Sequence, residues 1–150
     1  KNLPTSALDI GCGKGVFCEI LANYCDNVYG LDFAIKPDEK FCSKGINFIK
    51  SNAHEIPLPD KSVDLVTSID FLEHVHPDYL EKTIKEMFRV CSKYMIHKIA
   101  SSPSKSNFEH VGQLHLIQEH KKNFWMKEVF IPLSKKVEKI PNTGLIVINV

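Results

Sequence analysis

The chain lacks an excess of either charge. Its 19 basic and 18 acidic residues leave a formal net charge of +1, so no global field draws it towards nucleic acid. The lysine pairs Lys121-Lys122 and Lys135-Lys136 make only weak local patches. No apolar run approaches the ~20 residues needed to span a bilayer, so no membrane is expected as a partner. No secretory signal opens the sequence, and its start at Lys1, shortly before Pro4 and the first apolar run, reads as a trimmed N-terminus. The five cysteines (12, 18, 25, 42 and 91) include no C-x-x-C pair. An odd number without metal or redox spacing reads as reduced thiols serving as small apolar residues, which implies a cytoplasmic protein. Internal repeats and low-complexity segments are missing as well. What remains, at 150 residues, 43% hydrophobic and 25% charged, is a single globular domain over residues 1–150, long enough to bury a core.

What is present alternates between strand and helix periods. Short apolar strands are expected at 7–11, 27–32, 46–52, 63–69 and 94–100. Val16, Phe17, Ile20, Leu21 and Tyr24 recur at helical spacing and form one amphipathic face. A weaker helix is expected between Lys36 and Ser43, ended by Gly45. Pro57 and Pro59 forbid regular structure, so 53–62 is a loop. Pro77 suits a first helical turn, and Leu80, Ile84, Met87, Phe88 and Cys91 follow as one buried stripe. Residues 101–117 read as irregular and 119–130 as a shorter helix, before a closing hairpin of 136–140 and 145–150. Five strand–helix units imply an α/β fold, a parallel sheet with helices on both faces.

Three glycines crowd the stretch LDIGCGKG (8–15) directly after the first strand. Glycine loses more backbone freedom on folding than any other residue, so something must approach Gly11, Gly13 and Gly15 closely. In open α/β sheets ligands lie beyond the carboxyl ends of the strands. There, loop and helix N–H groups suit a small anion. Asp32 closes the second strand on the same edge, where a carboxylate can accept from both hydroxyls of a ribose. The pattern points to a nucleoside-bearing ligand with a small anionic group. It is not the dinucleotide fingerprint G-x-G-x-x-G, because residue 16 is Val and the third glycine comes one position early.

With that loop, Asp32 and the block SNAHEIPLPDKSVDLVTSIDFLEHV (51–75), residues 7–102 resemble the class I S-adenosylmethionine-dependent methyltransferases, closest to the small-molecule and ubiquinone-type branch. The resemblance implies a Rossmann-like sheet of order 3-2-1-4-5-7-6 with the last strand antiparallel, S-adenosylmethionine as cofactor, and methyl transfer to a small-molecule acceptor. It implies that Asp9, Gly11, Cys12 and Gly13 hold the methionine end. Asp32 would hold the ribose, with Phe33 against the adenine. Asn52 and Ala53 stand where the family usually has Asp-Ala reading the adenine amine, and Asn52 there, or acting as a turn former, lacks the charge of that acid. Ile69, Asp70 and Phe71 would lie near the methyl group and adenosine.

No residue is assigned as the catalytic base. Asp70, Glu73 and His74 are near enough to be considered, although Glu73 and His74 serve equally well as caps before Pro77. The fourth strand ends Ile-Asp-Phe-Leu and lacks the Asn-Pro-Pro-Tyr type motif of enzymes that methylate amide or adenine nitrogens. Acceptor choice is expected in 101–125, as an aromatic, histidine-rich lid. His110, His115 and His120, flanked by Glu109 and Glu119, share no helical face, so no metal is assigned. Two alternatives remain: a non-catalytic cofactor-binding or scaffold domain, and, disfavoured by the displaced glycine, a Rossmann-type NAD-dependent oxidoreductase.

Overall fold

The computed structural model describes residues 3–34, 45–99, 130, 132, 136–140 and 145–150. Its strands are β1 (Ser6–Ile10), β2 (Asn27–Asp32), β3 (Asn47–Lys50), β4 (Val63–Ile69), β5 (Cys91–Lys98), β6 (Val137–Lys139) and β7 (Leu145–Asn149). They form one sheet in the order β3-β2-β1-β4-β5-β7-β6. Strands β1 to β5 pair in parallel, and β7 runs antiparallel to both β5 and β6. Order and direction match the expectation. The chain moves outward from β1 through β2 to β3, then returns to place β4 on the other side of β1. The carboxyl ends of β1 and β4 therefore flank the switch point where ligands bind in such sheets. The helix expected at 36–43, the irregular stretch 101–117, its histidines, and the helix expected over 119–130 lie outside the described residues, apart from Phe130.

Side chains alternate across each strand, and the sheet divides the core in two. Leu8, Ile10, Val66, Met95 and Ile148 face helix α2 (Pro77–Val90), which contributes Ile84, Met87 and Val90. On the opposite face Ala7, Val28 and Leu65 meet helix α1 (Val16–Leu21) through Cys18 and Leu21, with Cys25 just beyond. The expected face of α1 is therefore corrected. Val16 is 60% exposed and Tyr24 78%, whereas Cys18 and Leu21 are buried. Apolar residues nearly encircle this helix, and the stripe carrying small thiols approaches the sheet more closely than one of Val, Ile and Tyr.

Helix α2 begins as expected, with Pro77 in its first turn. Its cap is His76, whose Nδ1 accepts from the Asp78 N–H at 3.3 Å. Glu73 and His74 lie instead in a 3-10 turn, Leu72–His74. The helix ends earlier than its apolar stripe suggests, for Cys91 already opens β5. Lys61, from the loop before β4, makes this abrupt exit tolerable. Its Nζ donates to the carbonyls of Phe88 (3.0 Å) and Cys91 (2.9 Å), and its N–H to that of Arg89 (2.8 Å). Carbonyls that a terminating helix leaves unpaired are thus satisfied from outside. Arg89 fixes the proline-containing loop in turn, donating to the carbonyls of Leu58 and Ile56 at 2.8 Å each and pairing with Asp60 and Glu86.

Among the described residues, the buried side chains of His97 and Thr83 each carry a polar atom without a hydrogen-bond partner. His97 on β5 is enclosed, with Nδ1 2.7 Å from Ser68 Oγ, its ring stacked on Phe130 at 5.1 Å, and Nε2 without a partner. Burial pushes its pKa down from 6.5 to about 3. Its contribution to stability is present above pH 6.5 and is lost as pH falls towards 3. Thr83 Oγ1, inside α2, also has no partner. Thr83→Val keeps the side-chain shape and removes a desolvated hydroxyl, so it is expected to stabilise the fold by about 1 kcal/mol. Urea denaturation checks this, and a destabilised variant would mean that the hydroxyl is bonded.

Candidate functional site

The loop after β1 is built as an extension of the β1–β2 ladder. The Gly11 and Cys12 N–H groups both donate to the Leu31 carbonyl, at 2.8 and 3.1 Å, and the Gly13 N–H donates to Asp32 Oδ2 at 3.0 Å. To fold back on the end of β2 in this way, Gly11, Gly13 and Gly15 all take positive φ (74°, 53° and 94°), a region other residues enter at a cost. Asp32 Oδ1 accepts from the Ala34 N–H at 2.9 Å. The acid singled out at the strand end is thus tied to the glycine loop itself. Phe33 beside it is exposed.

The opposite wall comes from the end of β4. Ile69 is its last residue, and Asp70 follows with a positive φ of 49°, uncommon for a residue with a side chain. The turn places the Phe71 ring on Gly11, where a Cβ would come 2.3 Å from Phe71 Cδ2. The close approach that demands glycine at position 11 is made by this ring. Asp70 lies on the surface, its carboxylate 3.0 Å from Lys98 Nζ and its N–H donating to the Lys98 carbonyl at 2.8 Å.

Beneath the loop, Asp9 is only 3% exposed. Its Oδ1 accepts from Thr67 Oγ1 at 2.8 Å, and the Cys18 thiol lies 3.9 Å from Oδ2. Burial, reinforced by the Asp32 charge and opposed by the Thr67 and Cys18 bonds, pushes its pKa up to about 7. Asp9 is thus bonded to β4 through Thr67 and to α1 through Cys18, and its titration responds to the Asp32 charge above it. Asn52 and Ala53 follow β3, which pairs with β2, and the Ser51 N–H donates to the Asp32 carbonyl at 3.3 Å. Asn52 is exposed and closes a turn through its backbone carbonyl, which accepts from the Glu55 N–H at 3.0 Å.

Gly11 with Phe71 and Gly13 with Asp32 are thus brought into direct contact, with Cys12 between them. Asn52, Ala53 and Phe33 line the neighbouring strand ends. Four participants carry no local sequence pattern: Thr67 under Asp9, Lys98 on Asp70, and the pair His54 and Tyr79, whose rings stack at 4.4 Å and join the turn after Asn52 to α2. Strand register could have suggested Thr67, which lies opposite Asp9, and Lys98, which lies opposite Ile69. Among the described residues no cluster of three or more His, Cys, Asp or Glu could hold a metal.

A family model described as a methyltransferase domain matches residues 8–94. Norajmaline N-methyltransferase of Rauvolfia serpentina is 34% identical over 102 residues, covering 59% of this chain and 33% of that protein. Ubiquinone biosynthesis O-methyltransferase of Saccharophagus degradans is 28% identical over 146 residues, covering 92% and 62%. The chain thus spans less than two thirds of the length of either relative. A crystal structure of a Pyrococcus horikoshii protein shares the fold, with a TM-score of 0.64 at 22% identity over 99% of this chain and 82% of that one.

Asp9 supplies a test of the loop's electrostatics. A carboxyl with a raised native pKa favours folding when protonated, so its contribution is full below 3.8 and is lost as pH rises through about 7. The stability of the wild type relative to Asp9→Asn should fall across that window, by at most about 1.4 kcal/mol per pH unit. Urea titrations at half-unit pH steps give the slope, and a flat difference would mean that Asp9 is ionised throughout.

Proposed function

We propose that this chain, which belongs to the methyltransferase domain family, binds S-adenosylmethionine at its glycine loop and transfers the methyl group to a small-molecule acceptor. The observation that carries this reading is the contact of Gly13 with Asp32 opposite Phe71 on Gly11, at the switch point of the sheet. The chemistry of these residues fits the cofactor. A carboxylate offers about four acceptor directions, so Asp32 can hold the loop and still accept from ribose hydroxyls. Phe33 offers an aromatic face for adenine, Asn52 an amide for its amine, and Ile69, Asp70 and Phe71 a wall along the adenosine.

The cofactor supplies a methyl group already activated by its sulfonium leaving group. What falls to the protein is alignment of an in-line displacement, where proximity is worth roughly 7–11 kcal/mol. Asp32 and the loop anchor the nucleoside, Phe71 fixes the β4 wall against the loop, and the buried Asp9–Thr67 bond joins β1 to β4 beneath it. No side chain is assigned as base, and none is required unless the acceptor must lose a proton. We further assign the chain to a single domain and to the cytoplasm, in keeping with the free thiols of Cys12, Cys18, Cys25 and Cys91. No helix among the described residues is long and apolar enough to cross a membrane.

Titration calorimetry with S-adenosylmethionine, S-adenosylhomocysteine and NAD tests the cofactor, and a methyl-release assay separates an enzyme from a scaffold. Binding of NAD alone would overturn the reading. Asp32→Ala is expected to weaken S-adenosylhomocysteine binding ten- to a hundredfold or more, since each bond to a charged acceptor contributes about 1.5–3 kcal/mol. Unchanged affinity in a variant with native circular dichroism would remove Asp32 from the site. Asn52→Ala is expected to weaken adenosine-type ligands more than inosine-type ones, and equal losses would mean that Asn52 does not read the base.

A further inference from the structure

Gly30 lies in the middle of β2, where glycine weakens a strand. A Cβ there would come 2.9 Å from Cys12 Sγ, 2.9 Å from Cys18 Sγ and 2.9 Å from Phe48 Cδ1. The missing side chain thus makes room for two sulfurs side by side. Each thiol has its own acceptor, Cys12 Sγ donating to the Gly13 carbonyl at 3.8 Å and Cys18 Sγ to Asp9 Oδ2 at 3.9 Å, and the neighbouring Cys12 thiol, then burial, then the Asp9 charge raise the Cys18 thiol above its ordinary pKa. Cys12 belongs to the glycine loop and is part-exposed, whereas Cys18 is fully buried on α1. The other described cysteines, Cys25 and Cys91, are buried elsewhere.

We propose that Cys12 and Cys18 are a redox-sensitive pair that hydrogen peroxide converts to a disulfide, disabling the glycine loop. Cys12, reached from solvent, attacks the peroxide; the O–O bond breaks, leaving a sulfenic acid on Cys12 and one molecule of water. The Cys18 sulfur then attacks the Cys12 sulfur, the S–O bond breaks, and hydroxide leaves as water with the Cys18 proton. Two thiols are oxidised by two electrons and one peroxide is reduced to two waters. Above about pH 7, where Asp9 is ionised, its Oδ2, 3.9 Å from Cys18 Sγ, is placed to take up that proton. Because Cys12 is reached from solvent and Cys18 is fully buried, Cys12 is the sulfur oxidised first and Cys18 the one that resolves it.

The bond requires the sulfurs to close to about 2.05 Å. Cys18 is anchored in a helix against the sheet, so the movement falls on Cys12, between Gly11 and Gly13. Drawing it inward pulls the Gly13 N–H off Asp32 and Gly11 off Phe71. The consequence for binding rests on the proposed cofactor site; the cross-link does not.

The experiment treats the full chain with one equivalent of hydrogen peroxide and maps peptides under alkylating conditions, in parallel with S-adenosylhomocysteine titration. A Cys12–Cys18 linkage is expected in preference to any involving Cys25, Cys42 or Cys91, with affinity reduced at least tenfold and restored by dithiothreitol. Cys18→Ala and, should that variant fold poorly, Cys18→Ser are expected to form no linkage. They should trap Cys12 as a dimedone-reactive sulfenic acid and keep the affinity of the reduced chain before treatment. Cys12 oxidised while Cys18 stays free in the wild type would overturn the pair, and a linkage that leaves affinity unchanged would overturn the switch. If the reduced chain binds no S-adenosylhomocysteine, the cofactor reading falls, and the linkage alone then decides whether the pair stands.

Discussion

The three N–H groups of Gly11, Cys12 and Gly13 have to end somewhere, and all of them end on the tip of β2. A buried backbone donor left without a partner costs about 1–3 kcal/mol, so this arrangement constrains everything nearby. The loop must curl back through positive φ, which requires glycines. Asp32 must reach the loop, which places a carboxylate at the switch point. The curl leaves Gly11 facing the end of β4, and Phe71 packs there. One hydrogen-bonding demand thus brings together β1, β2 and β4, elements that the chain separates widely.

Strands were legible because buried parallel strands are made of short β-branched and apolar runs: 27–32 and 63–69 agree residue for residue with β2 and β4. The face of α1 was not. Val16, Ile20 and Tyr24 satisfy a helical repeat as well as Cys18, Leu21 and Cys25 do, and spacing cannot say which stripe meets a sheet that carries Gly30. The end of α2 was misplaced for another reason. Its cap is Lys61, which belongs to a different segment, and no residue near Val90 announces it.

The site divides in the same way. Its backbone-driven parts, the glycines and the strand-end acid, follow from local rules and could be read directly. Thr67 below Asp9, Lys98 on Asp70 and the His54–Tyr79 stack are agreements between segments joined only by the register of the sheet. Asp70 combines both kinds. Its position at the end of β4 was readable, but its positive φ and its pairing with Lys98 depend on the turn that sends Phe71 towards the loop. The loop 53–62, unremarkable apart from its prolines, is held to α2 by Arg89 and Glu86, so the segment carrying Asn52 is anchored at a distance from the strand ends it serves.

Thr67 and Ser68 are neighbours on β4 and point to opposite faces of the sheet, one to Asp9 and the other to His97. Each enclosed group stays uncharged, by opposite means: the carboxyl keeps a proton and the imidazole lacks one. At about pH 5 to 6 an unfolded chain reverses both, since its free carboxylate has lost the proton and its free imidazole has gained one. Unfolding in that interval therefore hands a proton from one residue to the other, with no net exchange between this pair and the solvent. The heat of buffer ionisation accordingly drops out of this pair's share of the calorimetric signature, and within that interval their opposite pH dependences offset one another.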